Sequence, residues 1–344
     1  MIPLPTLYYF LCYAWNRLPE PALLRASEAQ PFERPVELLA QVLLHGTRRL
    51  LRGGLPRTFR QREEELAAVR GRIALTPSLS RGLLPRGRAV CAFDELTTDS
   101  PLLRLLAGTL VRLLASGRLR AGQRRELRQV RQHLPVAPAD ELWPEAALFR
   151  ELRRQRPAGE AAFLLHVCEL LWQTALPEPT AGGRGRFVDF RRDEVLMARL
   201  FEQFVRNFFR REQRRFRVYA ETIAWQADAA HAADLDLLPT MLTDTTLEAA
   251  DRKIILDTKY YKAALRPRYD RQRLIAPHLY QLYAYLQNQA PTPGQALEGV
   301  LLYPAAAQAV DVRYTLGGHP VRVVTLDLSQ PWPGIAADLL ALLA

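Results

Sequence analysis

An acidic residue interrupts an apolar stretch of this 344-residue chain, the segment KIILDTKYY at 253–261. Its isoleucines and tyrosines favour a strand that is buried within a sheet. Because side chains alternate along a strand, Asp257 and Lys259 are predicted to lie on the same face. The chain must therefore fold into a structure that tolerates a carboxylate and an ammonium together on a largely buried strand.

A second acid precedes this strand at the distance expected for a hairpin. Asp244 lies in the strand-like run MLTDTTLE, and the turn-like AADR follows at 249–252. An antiparallel pair joined there would place Asp244 roughly opposite Asp257. Two carboxylates with a backbone carbonyl and water form the oxygen-rich shell that Mg²⁺ prefers, and Mn²⁺ could substitute. Such a cation polarises a phosphodiester and helps to generate hydroxide from water.

Lysine is scarce, although the chain carries 47 Lys and Arg residues. The lysines are Lys253, Lys259 and Lys262, within ten positions of one another. Lysine is a compact charge whose pKa shifts readily, whereas guanidinium stays protonated. We therefore assign Lys259 a catalytic role beside the cation, and expect simple solvation for the other two. The alternative is a solvated Asp-x-Lys ion pair, against which the apolar character of the strand argues.

Three further side chains are candidates for supporting roles. Glu202 lies at the margin of the apolar stripe of a predicted helix at 194–212, where it could reach the outer shell of the cation or remain a surface acid. Gln281 and Tyr285 are four residues apart on a predicted helix at 277–289, so they share a face. They could position DNA or the attacking water, with core packing as the alternative for Tyr285.

The length of the chain favours two domains. The first half shows helical patterns on either side of a segment at about 57–99 whose alternating polarity indicates a β-rich insert. The Pro- and Gly-rich segment 175–186 is typical of a linker. We therefore predict a helical N-terminal domain with a β-rich insert at 1–178 and a second domain at 187–344.

The second domain alternates helical and strand patterns. The helix at 194–212 is followed by strand-like runs at 217–225, 235–248 and 253–261. The helix at 277–289, a strand at 299–304, a strand pair around 317–318 and a C-terminal helix complete the order. This order predicts a central mixed sheet flanked by helices, and so an α+β or α/β two-domain protein overall.

Composition narrows the function. With 47 basic and 36 acidic residues the formal net charge is +11, which favours an anionic partner such as nucleic acid. The three cysteines form no CxxC pair, which fits a reducing cytoplasm. No GxxxxGK[ST] loop is present, so we expect no nucleotide to bind this chain alone. No apolar window approaches the ~20 residues of a membrane span, and the apolar start lacks the basic leader of a signal peptide.

These residues together resemble a known superfamily. Asp244, the Asp257-Thr258-Lys259 triplet, Glu202 upstream and Gln281-x-x-x-Tyr285 downstream are similar to the PD-(D/E)xK nucleases in their RecB-like form, although Thr243 stands where the superfamily has proline. More narrowly, the chain resembles the McrC family, the nuclease subunits of McrBC modification-dependent restriction systems. The resemblance runs over nearly the whole chain and includes CAFDELTTDSPLLRLL, LFEQFVRNFFRRE, IILDTKYYK and LYQLYAYL.

The resemblance implies an activity, a cofactor and a partner. It implies a Mg²⁺-dependent endodeoxyribonuclease in which Asp244, Asp257 and the carbonyl of Thr258 are metal ligands and Lys259 is catalytic. It further implies double-stranded DNA, in a modified form, as substrate. The expected partner is a McrB-like AAA+ GTPase hexamer, into which the N-terminal part docks and whose GTP hydrolysis it stimulates. Two alternatives stay open: a non-cleaving plug that only activates the GTPase, and a stand-alone RecB-like nuclease.

Overall fold

The structure is a computed structural model that describes residues 2–21, 23–24, 32–54, 58–136, 145–175, 189–261, 265–268, 271–290, 292–305 and 309–344. The chain forms two compact units, one of residues 39–187 and one of residues 1–38 with 188–344. Below they are named the helical unit and the sheet unit. The first 38 residues thus group with the C-terminal part of the chain. The predicted linker at 175–186 lies outside the described residues, apart from Ala175.

The elements before residue 189 are α1 (Leu4–Ala14), α2 (Pro35–Gly53), β1 (Thr58–Leu66), β2 (Arg72–Ile73), α3 (Leu75–Ser80), β3 (Ala89–Thr97), α4 (Pro101–Ala115), α5 (Ala121–Gln132), α6 (Glu145–Gln155) and α7 (Gly159–Leu170). The elements after it are α8 (Glu194–Glu212), β4 (Arg217–Tyr219), β5 (Thr222–Ile223), β6 (Met241–Leu242), β7 (Thr245–Glu248), β8 (Arg252–Thr258), β9 (Leu265–Arg268), β10 (Arg271–Leu274), α9 (Ala276–Gln287), β11 (Ala296–Pro304), β12 (Asp311–Leu316), β13 (His319–Leu326) and α10 (Trp332–Ala341).

The helical unit contains the predicted β-rich insert as a three-stranded antiparallel sheet in the order β1-β3-β2. Helix α4 begins where the sequence provides a cap: the Ser100 hydroxyl accepts a hydrogen bond from Leu103 N, and Pro101 fits the first helical turn. Its Thr109 hydroxyl accepts a hydrogen bond from the Trp172 indole at 2.8 Å. Helix α6 was not predicted from the sequence.

The sheet unit is built on a six-stranded mixed sheet in the order β12-β13-β11-β8-β7-β4. Strand β11 pairs in parallel with both β8 and β13, and the other pairs are antiparallel. The predicted mixed sheet flanked by helices is confirmed. The β9–β10 hairpin was not predicted.

The predicted strand at 235–248 is wrong in its first half. Residues Ala232–Leu237 form a 3₁₀ helix, and the strands begin only at Met241. Pro239 lacks the N–H that a continuous ladder requires, so pairing cannot extend through it. The predicted strand at 217–225 is likewise divided into β4 and β5, and the second of these pairs with β6 in a separate two-stranded sheet.

Helix α9 covers one face of the sheet. Its Leu282, Tyr285 and Leu286 pack with Ile255 of β8 and with buried residues of β11 and β13. Gly299 in β11 permits this close approach, because a Cβ there would lie 3.0 Å from side-chain carbons of both leucines. The helix thereby brings its polar residues to the same face as Asp257.

An aromatic cluster joins α1 to α8 and α10 within the sheet unit. The Phe10 and Phe204 ring centroids are 4.8 Å apart, and Tyr13 stacks on Trp332 at 5.0 Å. Phe208 contacts the same tryptophan. The apolar stripe of α8 therefore explains why the first helix of the chain packs with its last part. No helix among the described residues is long and apolar enough to cross a membrane.

We expect Phe204→Ala to lower the free energy of unfolding by about 3–5 kcal/mol, because this fully buried ring contacts both Phe10 and Trp332 and its loss leaves a cavity. Urea unfolding measures the change. Gln203→Ala, one residue earlier on the same helix, is the control and should change stability by no more than about 0.5 kcal/mol. Equal stabilities for the two variants would contradict the packing described.

Candidate active site

Asp257 is the most unusual side chain of the sheet unit. It is 0% exposed in β8, and neither carboxylate oxygen accepts a hydrogen bond of normal geometry from the described residues. Lys259 Nζ lies 2.7 Å from Oδ2 and forms an ion pair. Burial, followed by the negative charge of Asp244, raises the pKa of the Asp257 carboxyl to about 7, and Lys259 only partly opposes this. The site therefore concentrates negative charge that Lys259 neutralises only in part.

Asp244 lies at the bend between β6 and β7, on the segment that was predicted to pair with the strand of Asp257. The ladder pairs Thr245 with Leu256, so the next position on each strand brings Asp244 opposite Asp257. Asp244 Oδ2 accepts hydrogen bonds from Thr258 N at 2.7 Å and from Thr258 Oγ1 at 2.6 Å. Thr258, the residue after Asp257, thus fixes the carboxylate of Asp244. This role of the Thr258 N–H and hydroxyl was not predicted.

Lys259 follows the last residue of β8 and begins a chain of hydrogen bonds. Its Nζ donates to Gln281 Oε1 at 2.8 Å, and Gln281 Nε2 donates to the Tyr285 hydroxyl at 2.7 Å. The hydroxyl donates in turn to the main-chain carbonyl of Leu242 at 2.8 Å. The predicted Gln281 and Tyr285 pair therefore orients the ammonium. Tyr285 also packs in the core, which was the alternative for this residue, and the positioning of DNA or water by the pair stays a prediction.

Glu202 is linked to the site by Arg206. It forms an ion pair with Arg206, whose Nε donates to the main-chain carbonyl of Asp244 at 2.7 Å. Burial, followed by the charge of Asp244, raises the pKa of Glu202, and Arg206 opposes the change. Arg206 was not predicted as a site residue, although its i,i+4 spacing from Glu202 on α8 is the pattern of a helical ion pair.

The carboxylates suit a divalent cation. A buried acid next to a second acid requires compensating positive charge to stay ionised, and Lys259 supplies only part of it. No group of three or more His, Cys, Asp or Glu side chains in the described ranges is arranged to hold a metal by itself. The candidate set is therefore Asp244 and Asp257, with the Thr258 carbonyl and water as the remaining predicted ligands. The residues present fit Mg²⁺, a hard cation that retains several waters.

The prediction of simple solvation for Lys253 is wrong. This side chain is buried, and its Nζ donates to Glu221 Oε1 and to Gln289 Oε1, each at 2.8 Å. The alternation of β8 places it on the same face as Asp257, and a buried ammonium requires such partners. Lys262 lies outside the described residues.

A family model for the McrBC 5-methylcytosine restriction system component matches residues 6–304. The chain belongs to this family. A curated McrBC relative, the Type IV methyl-directed restriction enzyme EcoKMcrBC of Escherichia coli K12, is 31% identical over 341 residues, which cover 99% of this chain and 97% of that protein.

A solved McrBC structure shares the fold. It is the half-complex from a tetradecameric assembly of Thermococcus gammatolerans McrB AAA+ hexamers with bound McrC. The match has a TM-score of 0.54 at 14% identity and covers 99% of this chain and 76% of that one. The McrBC family is therefore shown by sequence, and this structure supports the mixed α and β architecture.

Proposed function

We propose that this chain is the Mg²⁺-dependent DNA endonuclease subunit of a McrBC-type restriction system. The observation that supports this most strongly is Asp257, a fully buried carboxylate that lies opposite Asp244 and in an ion pair with Lys259. A PD-(D/E)xK site requires two carboxylates and a lysine in this relation. Membership of a restriction-system family adds the substrate class.

Each residue has a distinct part in the proposed reaction. A bound Mg²⁺ would polarise the phosphodiester and acidify a water. Asp244 and Asp257 would hold it, and Thr258 fixes the orientation of Asp244 through two hydrogen bonds. Lys259, oriented by Gln281, presents an ammonium that stabilises negative charge on the phosphate or positions the water. Arg206 fixes the main chain at Asp244 from the other side.

The proposed partner is an AAA+ GTPase of the McrB type. The T. gammatolerans relative was solved with McrB AAA+ hexamers. We propose that this chain likewise binds such a hexamer, stimulates its GTP hydrolysis and cuts double-stranded, modified DNA. The net charge of +11 fits a phosphate-rich substrate.

The test is cleavage of methylated plasmid by the purified chain with its AAA+ partner, Mg²⁺ and GTP. We expect linear product that depends on all four components and that disappears when EDTA removes Mg²⁺. Asp244→Ala should abolish cleavage and leave GTPase stimulation intact, because docking to the GTPase is expected of the N-terminal part of the chain. Cleavage that survives this substitution would overturn the assignment.

The same assay separates the two alternatives. GTPase stimulation by the wild-type chain without any cleavage would indicate a regulatory plug with an idle nuclease fold. Metal-dependent cutting by the chain alone, without GTP or partner, would indicate a stand-alone nuclease.

A further inference from the structure

The sheet unit contains a second buried lysine whose surroundings form a closed polar network, here named the Lys253 network (Lys253, Glu221, Gln289, Thr243 and Thr246). The lysine side chain is 10% exposed and that of Glu221 is 20% exposed. Both oxygen acceptors of the ammonium come from distant parts of the chain, 32 and 36 residues away. A buried charge held in this way requires a reason beyond local folding.

Glu221 closes a ring of hydrogen bonds with the two threonines. Its N–H donates to Thr243 Oγ1 at 2.9 Å, and Thr243 Oγ1 lies 3.0 Å from Thr246 Oγ1. Because Thr246 donates to Glu221 Oε2 at 3.2 Å, the remaining proton of Thr243 is directed to Thr246. Thr243 N also donates to the Glu221 carbonyl at 2.9 Å. Both carboxylate oxygens of Glu221 thus accept hydrogen bonds, Oε2 from Thr246 and Oε1 from Lys253.

The ring encloses the bend that carries Asp244. Thr243 immediately precedes Asp244 and is 1% exposed, and Thr246 lies two residues after it and is 0% exposed. Asp244 itself is held by Thr258 at its carboxylate and by Arg206 at its carbonyl. The Lys253 network therefore holds the residue immediately before a predicted cation ligand and the residue two positions after it.

We infer that Lys253 and Glu221 are positioning residues for Asp244, which set the orientation of its carboxylate toward a divalent cation. This inference rests on the proposed function. Outer residues that orient a metal ligand typically change metal affinity about 10- to 100-fold when removed. A buried ion pair contributes little net stability, and replacing both partners by apolar residues of similar volume is often neutral for folding. Positioning and stability can therefore be separated.

The test compares two double substitutions in the full-length chain. Lys253→Met with Glu221→Met removes the ion pair and the carboxylate that accepts from Thr246, and methionine is unbranched and similar in length to both side chains. Arg252→Met with Glu298→Met is the matched control. That neighbouring pair likewise links β8 to another segment, here β11, through hydrogen bonds of 2.8 Å, and neither hydrogen bond involves a residue of the Asp244 bend. Thr243→Val provides a single substitution that opens the ring without removing a charge.

Calorimetric titration with Mn²⁺, together with urea unfolding, is the readout. We expect the network variant and Thr243→Val to require about tenfold more Mn²⁺ for half-saturation, with the control pair unchanged. Folded network variants that bind Mn²⁺ as the wild type does would overturn the inference. So would an equal loss in the control pair. If the double variant does not fold, Thr243→Val decides.

The outcome also separates this inference from the proposed function. Mn²⁺ binding to the wild-type chain should be lost in Asp257→Asn. If the wild type does not bind Mn²⁺, or if Asp257→Asn binds it equally well, the proposed cation site is wrong and this inference is wrong with it. If the wild type binds Mn²⁺ and the folded variants bind it equally well, only the positioning role of Lys253 and Glu221 is overturned.

Discussion

Replacing Lys259 with methionine should lower the rate of DNA cleavage by about 10²–10³-fold, the effect of removing one preorganised donor from a developing negative charge. The position of the ammonium is fixed by two contacts, 2.7 Å from Asp257 and 2.8 Å from Gln281. The loss should fall on the rate at saturating DNA, since one charge contributes little to binding of a long polyanion. Single-turnover cleavage by the complex with its GTPase measures this.

Lys259→Arg tests whether a positive charge alone is sufficient at this position. Arginine keeps the charge but is larger and does not readily release a proton, so it should not restore the rate. Gel-shift affinity for the same DNA should stay close to that of the wild type in both variants. Full activity of Lys259→Arg would show that only charge matters at this position. A loss confined to DNA affinity would contradict a catalytic role.

Asp257→Asn should abolish cleavage and yet stabilise the metal-free chain at neutral to alkaline pH. Burial and Asp244 raise the pKa of this carboxyl from 3.8 to about 7 in the folded chain. Between these values the folded state binds a proton that the unfolded state releases. The stability that this group provides is therefore complete below about pH 4 and is lost as the pH rises through 7. Three pKa units correspond to about 4 kcal/mol.

Urea unfolding in EDTA at pH 5 and pH 8 measures this effect. The wild type should lose stability relative to Asp257→Asn as the pH rises, and added Mg²⁺ should reduce that difference by neutralising the carboxylates. Asp251→Asn, in the turn before the same strand, is a control for removal of an exposed acid. Parallel pH profiles for the wild type and Asp257→Asn would contradict the described burial and repulsion.

The geometry of Asp244, Asp257 and Lys259 could be predicted because it depends on local rules. Alternation along one strand places 257 and 259 on the same side, and the short turn at 249–252 sets the register that brings 244 opposite 257. The proximity of Gln281 and Tyr285 could be predicted from helical spacing alone. Their roles in catalysis remain predictions for the experiments above.

Other contacts could not be predicted because their partners are remote in sequence. A lysine at the start of a strand is usually solvated, and nothing near Lys253 in the sequence indicates Glu221 or Gln289 as acceptors. The stripe of phenylalanines on α8 shows that the helix is buried, but not that α1 covers it. In the same way, a proline at 239 signals a break in a strand without showing that a 3₁₀ helix precedes it.

Asp244 and Asp257 are proposed to hold one divalent cation together. Anomalous diffraction from crystals soaked in Mn²⁺ tests this most directly, with Asp257→Asn crystals as the comparison. We predict a manganese peak in contact with one carboxylate oxygen of each aspartate, which is absent from the variant. If saturating Mn²⁺ gives no peak between these two carboxylates, or a peak elsewhere in the sheet unit, Asp244 and Asp257 do not form the proposed cation site.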